Sequence, residues 1–256
     1  MRATSVNFFV GISRSFRRVR EVCEAHDVPM MLSAGALYDR ARDRLRPYPK
    51  SMHGARVAID SAGFTAMTVH GGVYPWSADE YLDLVEQADP VWYASRDYCV
   101  EPSIAKDASV RADRIRQTVD EYTRLCAAAT ARGLAAPMPV LQGWFPHEYI
   151  ECWHAMGRPS GLVGIGSVCR RHLRGSDGLL AILDELSAHG VERAHLFGVK
   201  GASVDIVLSD MFLARMVDSV DSHAWDYGAR MSGIKSIDKR LAYLSDWIEK
   251  QTRRIG

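Results

Sequence analysis

Val57-Ala58-Ile59-Asp60-Ser61-Ala62-Gly63-Phe64 is the stretch whose reading decides the fold. Three strand-forming apolar residues run straight into a carboxylate and a hydroxyl, and a small-residue turn follows at Ala62-Gly63. An apolar run this short, bounded by turn residues, reads as a strand buried on both faces, the kind that parallel sheets use. The carboxyl end of such a strand is where α/β folds hold their chemistry. Asp60 and Ser61 are therefore candidates for a site at the lip of a dry core. An isolated Asp-Ser after a strand is more often a turn cap. What lifts this one above that is repetition of the pattern along the chain.

Upstream, residues 6–12 and 29–34 are strand-like, with a helix over about 14–25 between them. A basic, irregular segment follows, with Arg40, Arg42, Arg44, Arg46 and Lys50 around Pro47 and Pro49. Downstream, Ser77 with Glu80 three residues on is a capping box that opens a helix. Strand 90–95 delivers Arg96-Asp97-Tyr98-Cys99, and a long amphipathic helix covers 109–132. Strand 139–141 delivers Gln142-Gly143, and strand 162–165 delivers Gly166-Ser167. Helix 176–189 leads to strand 194–197 and Gly198, and helix 203–215 leads to strand 217–220 and Asp221-Ser222. A basic helix over about 236–254 closes the chain. Strand-like runs that alternate with helices at about 25–35-residue spacing predict a parallel sheet with crossover helices, and eight such units make a single (β/α)8 TIM barrel spanning 1–256. An open doubly wound sheet is the alternative, but no Gly-x-Gly-x-x-Gly follows the first strand.

The bulk properties narrow the class. The 256 residues are 47% hydrophobic and 25% charged, with a net charge of +1, which is ordinary globular composition. No apolar run approaches the ~18 residues of a membrane span, and the N-terminus lacks the pattern of a signal peptide. Five widely spaced cysteines, Cys23, Cys99, Cys126, Cys152 and Cys169, read as reduced thiols of a cytoplasmic protein. Cys152-x-His154 and Cys169-x-x-His172 have the spacing of metal ligands, but core thiols beside surface histidines are the expectation, so no metal site and no zinc. Whether the chain forms a homodimer is open.

In a barrel, Asp60, Asp97, Gln142, Ser167, Gly198 and Asp221 all converge on one mouth. Carboxylates that share a pocket push one another's pKa values apart, so that one serves as an acid while another stays ionised. A pair flanking an anomeric carbon is what glycosyl transfer needs. The basic run at Arg46 and Lys50, with Arg170 and Arg171 after the Ser167 turn and Arg230 beyond Asp221, is placed to hold phosphates beside that mouth.

These residues also match a family. Asp60-Ser61-Ala62-Gly63-Phe64 resembles the Asp-Ser-Gly-Gly-Phe motif of the tRNA-guanine transglycosylases, and Arg96-Asp97-Tyr98-Cys99 resembles their Phe-Asp-Glu-Cys. Val140-Leu141-Gln142-Gly143 is similar to Val-Gln-Gly, and Gly164-Ile165-Gly166-Ser167-Val168 to Ala-Ile-Gly-Gly-Leu. Leu196-Phe197-Gly198-Val199 is similar to Leu-Met-Gly-Val, and Val220-Asp221-Ser222 to Phe-Asp-Cys. The motifs come in the family's order. The closer resemblance is to its DpdA-type branch, which inserts 7-deazaguanines into DNA. It is carried by Phe8-Phe9-Val10-Gly11, His70-Gly71-Gly72, the run from Asp97 to Pro102, and Asp221-Ser222-His223-Ala224-Trp225. The zinc ligands of the tRNA enzymes have no counterpart, since no cysteine follows Cys169 and no histidine follows His223. The chain also ends one helix past the last strand. Both departures favour DNA over tRNA as the expected polymer.

The resemblance implies roles. Asp221 is the nucleophile at C1′, with Asp218 and Asp226 as rivals on the residues alone. Asp60 is the general acid and base. Asp97 reads the guanine edge, Gln142, Gly143, Gly166, Ser167 and Gly198 read or border its carbonyl side, and Ser61 supports them. Phe64 and Phe197 sandwich the base. No cofactor is required, and the partners are DNA (with tRNA as the alternative) and a free 7-deazaguanine base. A barrel that only binds nucleic acid and a retaining glycosidase built on Asp60 and Asp221 are the competing readings.

Overall fold

The computed structural model describes residues 6–169, 171–199 and 201–255. Its main sheet has eight parallel strands: β1 (Asn7–Ile12), β2 (Met30–Ser33), β5 (Val57–Asp60), β6 (Trp92–Tyr93), β7 (Val140–Leu141), β8 (Leu162–Ile165), β9 (Arg193–Leu196) and β10 (Val217–Ser222). Apart from β6 and β7, each is hydrogen-bonded to its neighbours in this order, and β10 returns to pair with β1. The seam between β6 and β7 is closed just beyond the strands. There Ser95 N–H donates to the Met138 carbonyl and Met138 N–H to the Tyr93 carbonyl, each at 2.8 Å. The sheet is a closed (β/α)8 barrel, and closure excludes the doubly wound alternative. Closure leaves the barrel strands among the described residues with no open edge to protect.

Alternation along each strand sorts the side chains. On β5, Val57 and Ile59 join the large apolar layer beneath the helices, whereas Ala58 packs inside the barrel with Phe9 and Met31. On β9, Ala194 and Leu196 face the helices, and on β10 Val220 does the same. The period of two then sends Asp60, His195, Phe197, Ser219 and Asp221 inward. The inward row ends in polar groups at the carboxyl mouth because the apolar plug fills only the middle of the barrel.

The helical layer follows the expected pattern, with corrections. The Ser77 capping box forms as read, with its hydroxyl accepting from Glu80 N–H, at the start of α3 (Ala78–Ala88). The long helix is α4 (Ala108–Ala131), and the last is α10 (Ile237–Ile255). The segment expected as one helix over 203–215 is two, α7 (Gly201–Ser209) and α8 (Met211–Met216), because Asp210 caps the second through the N–H groups of Phe212 and Leu213. The basic segment is not irregular throughout: β3 (Tyr38–Asp39) and β4 (Arg44–Leu45) form an antiparallel hairpin. Three short helices escape a reading by periodicity: α2 (Gly63–Val69), α5 (Pro146–Ala155) and α9 (Ala224–Met231). Finally, β10 runs two residues further than expected, so Asp221 lies within the strand, paired with Phe9. No helix among the described residues is long and apolar enough to cross a membrane.

Candidate active site

Asp60, Asp97 and Asp221 line one cavity of about 180 Å³ at the carboxyl mouth, together with Phe64, Gln142, Gly166, Ser167, Phe197 and Gly198. A larger trough of about 730 Å³ adjoins it on the side of β1, β2 and α9. The two share Asp60, Asp221, Phe64 and Gly198, so the carboxylates of Asp60 and Asp221 stand at the passage between an inner slot and an outer trough.

The inner slot is held by a buried hydrogen-bond network. Asp97 Oδ1 accepts from Ser61 Oγ at 2.7 Å, and its Oδ2 accepts from Gln142 Nε2 at 2.6 Å. Tyr74 O–H donates to the Asp97 carbonyl at 2.8 Å and accepts from Asp97 N–H at 3.0 Å. Gln142 Oε1 in turn accepts from Ser167 Oγ at 2.6 Å. The carboxylate is thus clamped from both sides, and the amide of Gln142 is engaged with Asp97 and Ser167. Gln142 therefore orients the Asp97 carboxylate; its oxygen is taken up by Ser167. Gly63, which opens α2, lies against the same carboxylate: a Cβ there would stand 2.6 Å from Oδ1. Only glycine lets α2 approach so closely.

The three acids have different surroundings. Burial pushes the Asp60 carboxyl up to about 7, helped by the charges of Asp97 and Asp221, while hydrogen bonds from Ser33 and the Ala62 N–H pull the other way. Burial also raises Asp97, against the pull of its hydrogen bonds from Ser61, Gln142 and Tyr74. Asp221 Oδ1 accepts from Gly198 N–H at 2.7 Å. That donor is presented by a left-handed turn, Gly198 having φ +64°, which suits glycine.

Some expected residues stand elsewhere. Gly143 is buried behind the slot wall, against the Tyr149 ring, and its carbonyl accepts from Arg171. Arg171 does not face the mouth. Its guanidinium lies 3.9 Å from the centre of the Trp144 ring and donates to the carbonyls of Gly143, Trp144, Ser167 and Asp177, tying two loops together. Arg46 is engaged with the carbonyls of Ala36 and Leu37, and Lys50 sits on the turn that packs against α1 (Phe16–Ala25). Neither lines the cavity. Arg230 does line the outer trough, half-exposed and paired with Asp226 at 3.2 Å. Arg170 lies outside the described residues. The rivals for Asp221 are both engaged: Asp218 pairs with Arg193 at the opposite, amino end of the strands, and buried Asp226 is shared by Arg14, Arg230 and Arg240.

Other lining residues carry no site role in the reading of the sequence. Glu101 and Cys169 border the slot, and Ser13 and His223 border the trough, 3.2 Å apart. Beneath Asp221 lies His195, fully buried in the barrel. Cys152 is buried while His154 is exposed, so the first metal-like spacing does not converge. Among the described residues no group of three or more His, Cys, Asp or Glu could hold a metal ion.

A closed parallel barrel whose carboxyl mouth gathers three acids around a slot is the build of a (β/α)8-barrel enzyme. The chain belongs to the DpdA family, DeoxyPurine in DNA protein A, whose model matches residues 22–241. That membership makes DNA modification its field and DNA its substrate. No curated protein matches the chain. Among solved structures, a Coccidioides immitis protein described as a fructose-1,6-biphosphate aldolase is similar, with 13% identity and a TM-score of 0.53 over 99% of this chain and 93% of that one. The YdjI aldolase of Escherichia coli K12 has 9% identity and a TM-score of 0.49, covering 98% of this chain and 90% of that one. At 13% identity the first likeness is one of fold alone.

Proposed function

We infer that the chain exchanges guanine in DNA for a 7-deazaguanine, such as 7-cyano-7-deazaguanine, through a covalent bond between Asp221 and the sugar. The observation that carries this reading is the position of Asp60 and Asp221 at the passage between slot and trough, with Asp97 in the slot. A flipped deoxyguanosine would place its base in the slot, between Phe64 and Phe197, and its sugar at the passage. Asp97 accepts the N–H donors of the guanine edge with the lone pairs left free by Ser61 and Gln142. Gly166 and the Ser167 backbone border the carbonyl side.

The step is a retaining displacement. The free Asp221 oxygen bonds to C1′, the bond from C1′ to the purine breaks, and its electron pair leaves with the base. Asp60 gives its proton to that base, then takes one from the incoming deazaguanine, which attacks C1′ and releases Asp221. One glycosidic bond replaces another, so no cofactor is needed. Extrusion of the nucleotide costs a few kcal/mol, met by stacking and by phosphate contacts along the trough.

Duplex DNA and tRNA, each incubated with protein and 7-cyano-7-deazaguanine and digested to nucleosides, decide the polymer by mass analysis. The deazaguanine deoxynucleoside is expected from DNA and no modified nucleoside from tRNA; incorporation into tRNA alone would overturn the choice.

Two smaller predictions concern binding. Gly63→Ala pushes on the Asp97 carboxylate and is expected to weaken guanine binding on the order of 10- to 100-fold, measured by calorimetric titration. Arg230→Gln is expected to lower the slope of log K against log salt for DNA by about 1. Arg171→Gln should leave that slope unchanged and lower the melting temperature, since its partners are all within the chain.

A further inference from the structure

The geometry points to His195 as the positioning residue of Asp221, an assignment that rests on Asp221 being the nucleophile. His195 is fully buried on the inward face of β9, under the passage. Phe9 from β1, Trp92 from β6 and Phe197 surround its ring, with centroids at 5.9, 4.8 and 4.6 Å. The two polar groups that face it both come from β10. Nδ1 is 2.9 Å from Ser219 Oγ, and Nε2 is 3.3 Å from Asp221 Oδ1.

A ring that served only to fill the barrel would be apolar, since an imidazole buried among aromatics must satisfy two nitrogens. Here one tautomer pairs Nδ1 with Ser219 and turns the remaining N–H toward Asp221. With the proton on Nε2, the Ser219 hydroxyl donates to Nδ1 and Nε2–H is aimed at the carboxylate. The opposite tautomer would set a lone pair against the carboxylate. In the resting geometry Nε2 lies off line, and it has no hydrogen-bond partner. A small turn of the Asp221 carboxylate brings the contact into line, and such contacts commonly tighten only when substrate is bound.

The consequence concerns which oxygen attacks. Oδ1 is held by Gly198 N–H from one strand end and approached by Nε2–H from below. The carboxylate then presents its other oxygen to C1′ in a fixed orientation, which is where positioning gains rate. Ser219, two residues before Asp221 on the same inward row, sets the tautomer that makes this possible.

The test follows the covalent protein–DNA adduct in acid-quenched single turnovers, with binding of free guanine as the companion measurement. His195→Phe keeps the ring and removes the N–H; adduct formation is expected to slow by about tenfold or more with guanine affinity unchanged. His195→Gln returns an N–H near the Nε2 position and is expected to recover to within a few-fold of the unaltered protein. Ser219→Ala leaves the imidazole in place and frees its tautomer, with an expected few-fold loss. Adduct formation at the normal rate in His195→Phe overturns the assignment, as does a Gln variant no faster than the Phe variant. If the Phe variant does not fold, an unchanged rate in Ser219→Ala overturns it instead. Failure of the underlying reading looks different: the unaltered protein itself would then trap no adduct at Asp221.

Discussion

Asp221→Asn is expected to abolish base exchange, with a loss of about 10⁴-fold or more and no adduct in an acid quench. The reason is electronic. An amide oxygen is a poor nucleophile toward C1′, yet it can still accept the Gly198 N–H that Asp221 Oδ1 accepts now. The fold and the slot should therefore persist, and free guanine should bind the variant as it binds the original protein. That combination separates a missing nucleophile from a damaged pocket. Exchange that survives in the Asn variant would sink the assignment. Asp218 and Asp226 are poor substitutes, because the first lies at the other end of the strand and the second is enclosed by three arginines.

The second large effect is on pH dependence, through Asp60. Its folded pKa is raised from 3.8 to about 7, mainly by burial. In the unfolded chain the group ionises near pH 4, so between there and pH 7 the folded state holds a proton that the unfolded state has lost. Stability from this group is thus complete below the unfolded pKa, declines as pH rises, and is gone above about 7. Asp60→Asn mimics the neutral acid and should raise the melting temperature at pH 8 much more than at pH 4. Activity runs with the same proton. Adduct formation needs protonated Asp60, so its single-turnover rate should fall above pH 7, and the Asn variant should be slow at every pH because it has no proton to give. A pH-independent rate in the unaltered protein would remove Asp60 from the role.

Much of the site was legible in the chain because parallel strands display their chemistry in a fixed place. Asp60, Asp97, Gln142, Gly166, Ser167, Phe197, Gly198 and Asp221 follow apolar runs, and all line the slot. The arginines were far less legible. Arg46, Arg171 and Arg230 look alike in sequence, but the first two are tied to carbonyls of neighbouring loops, whereas Arg230, bonded to Asp226 one turn back on its own helix, borders the trough. A long side chain with several donors takes whatever acceptors the surrounding loops offer, and local sequence does not encode those loops. The short helices α2, α5 and α9 were hidden for a related reason. Each spans ten residues or fewer, too few for an apolar period to stand out from the turns beside it.

His195 marks the boundary between the two kinds of information. It precedes Phe197 by two on the same strand, so the period of two already sends it inward. Nothing local says that the carboxylate of Asp221 will stand above it, because that neighbour comes from another strand. By itself the sequence determined the alternation of strands and helices and the end of the barrel at which polar groups gather, since both depend on local periodicity and on the direction of the chain. Closure, strand register and the placing of the Asp221 carboxylate over a buried imidazole were decided only in the tertiary structure, because they depend on side chains far apart in sequence whose approach is set by how eight strands pair around a ring.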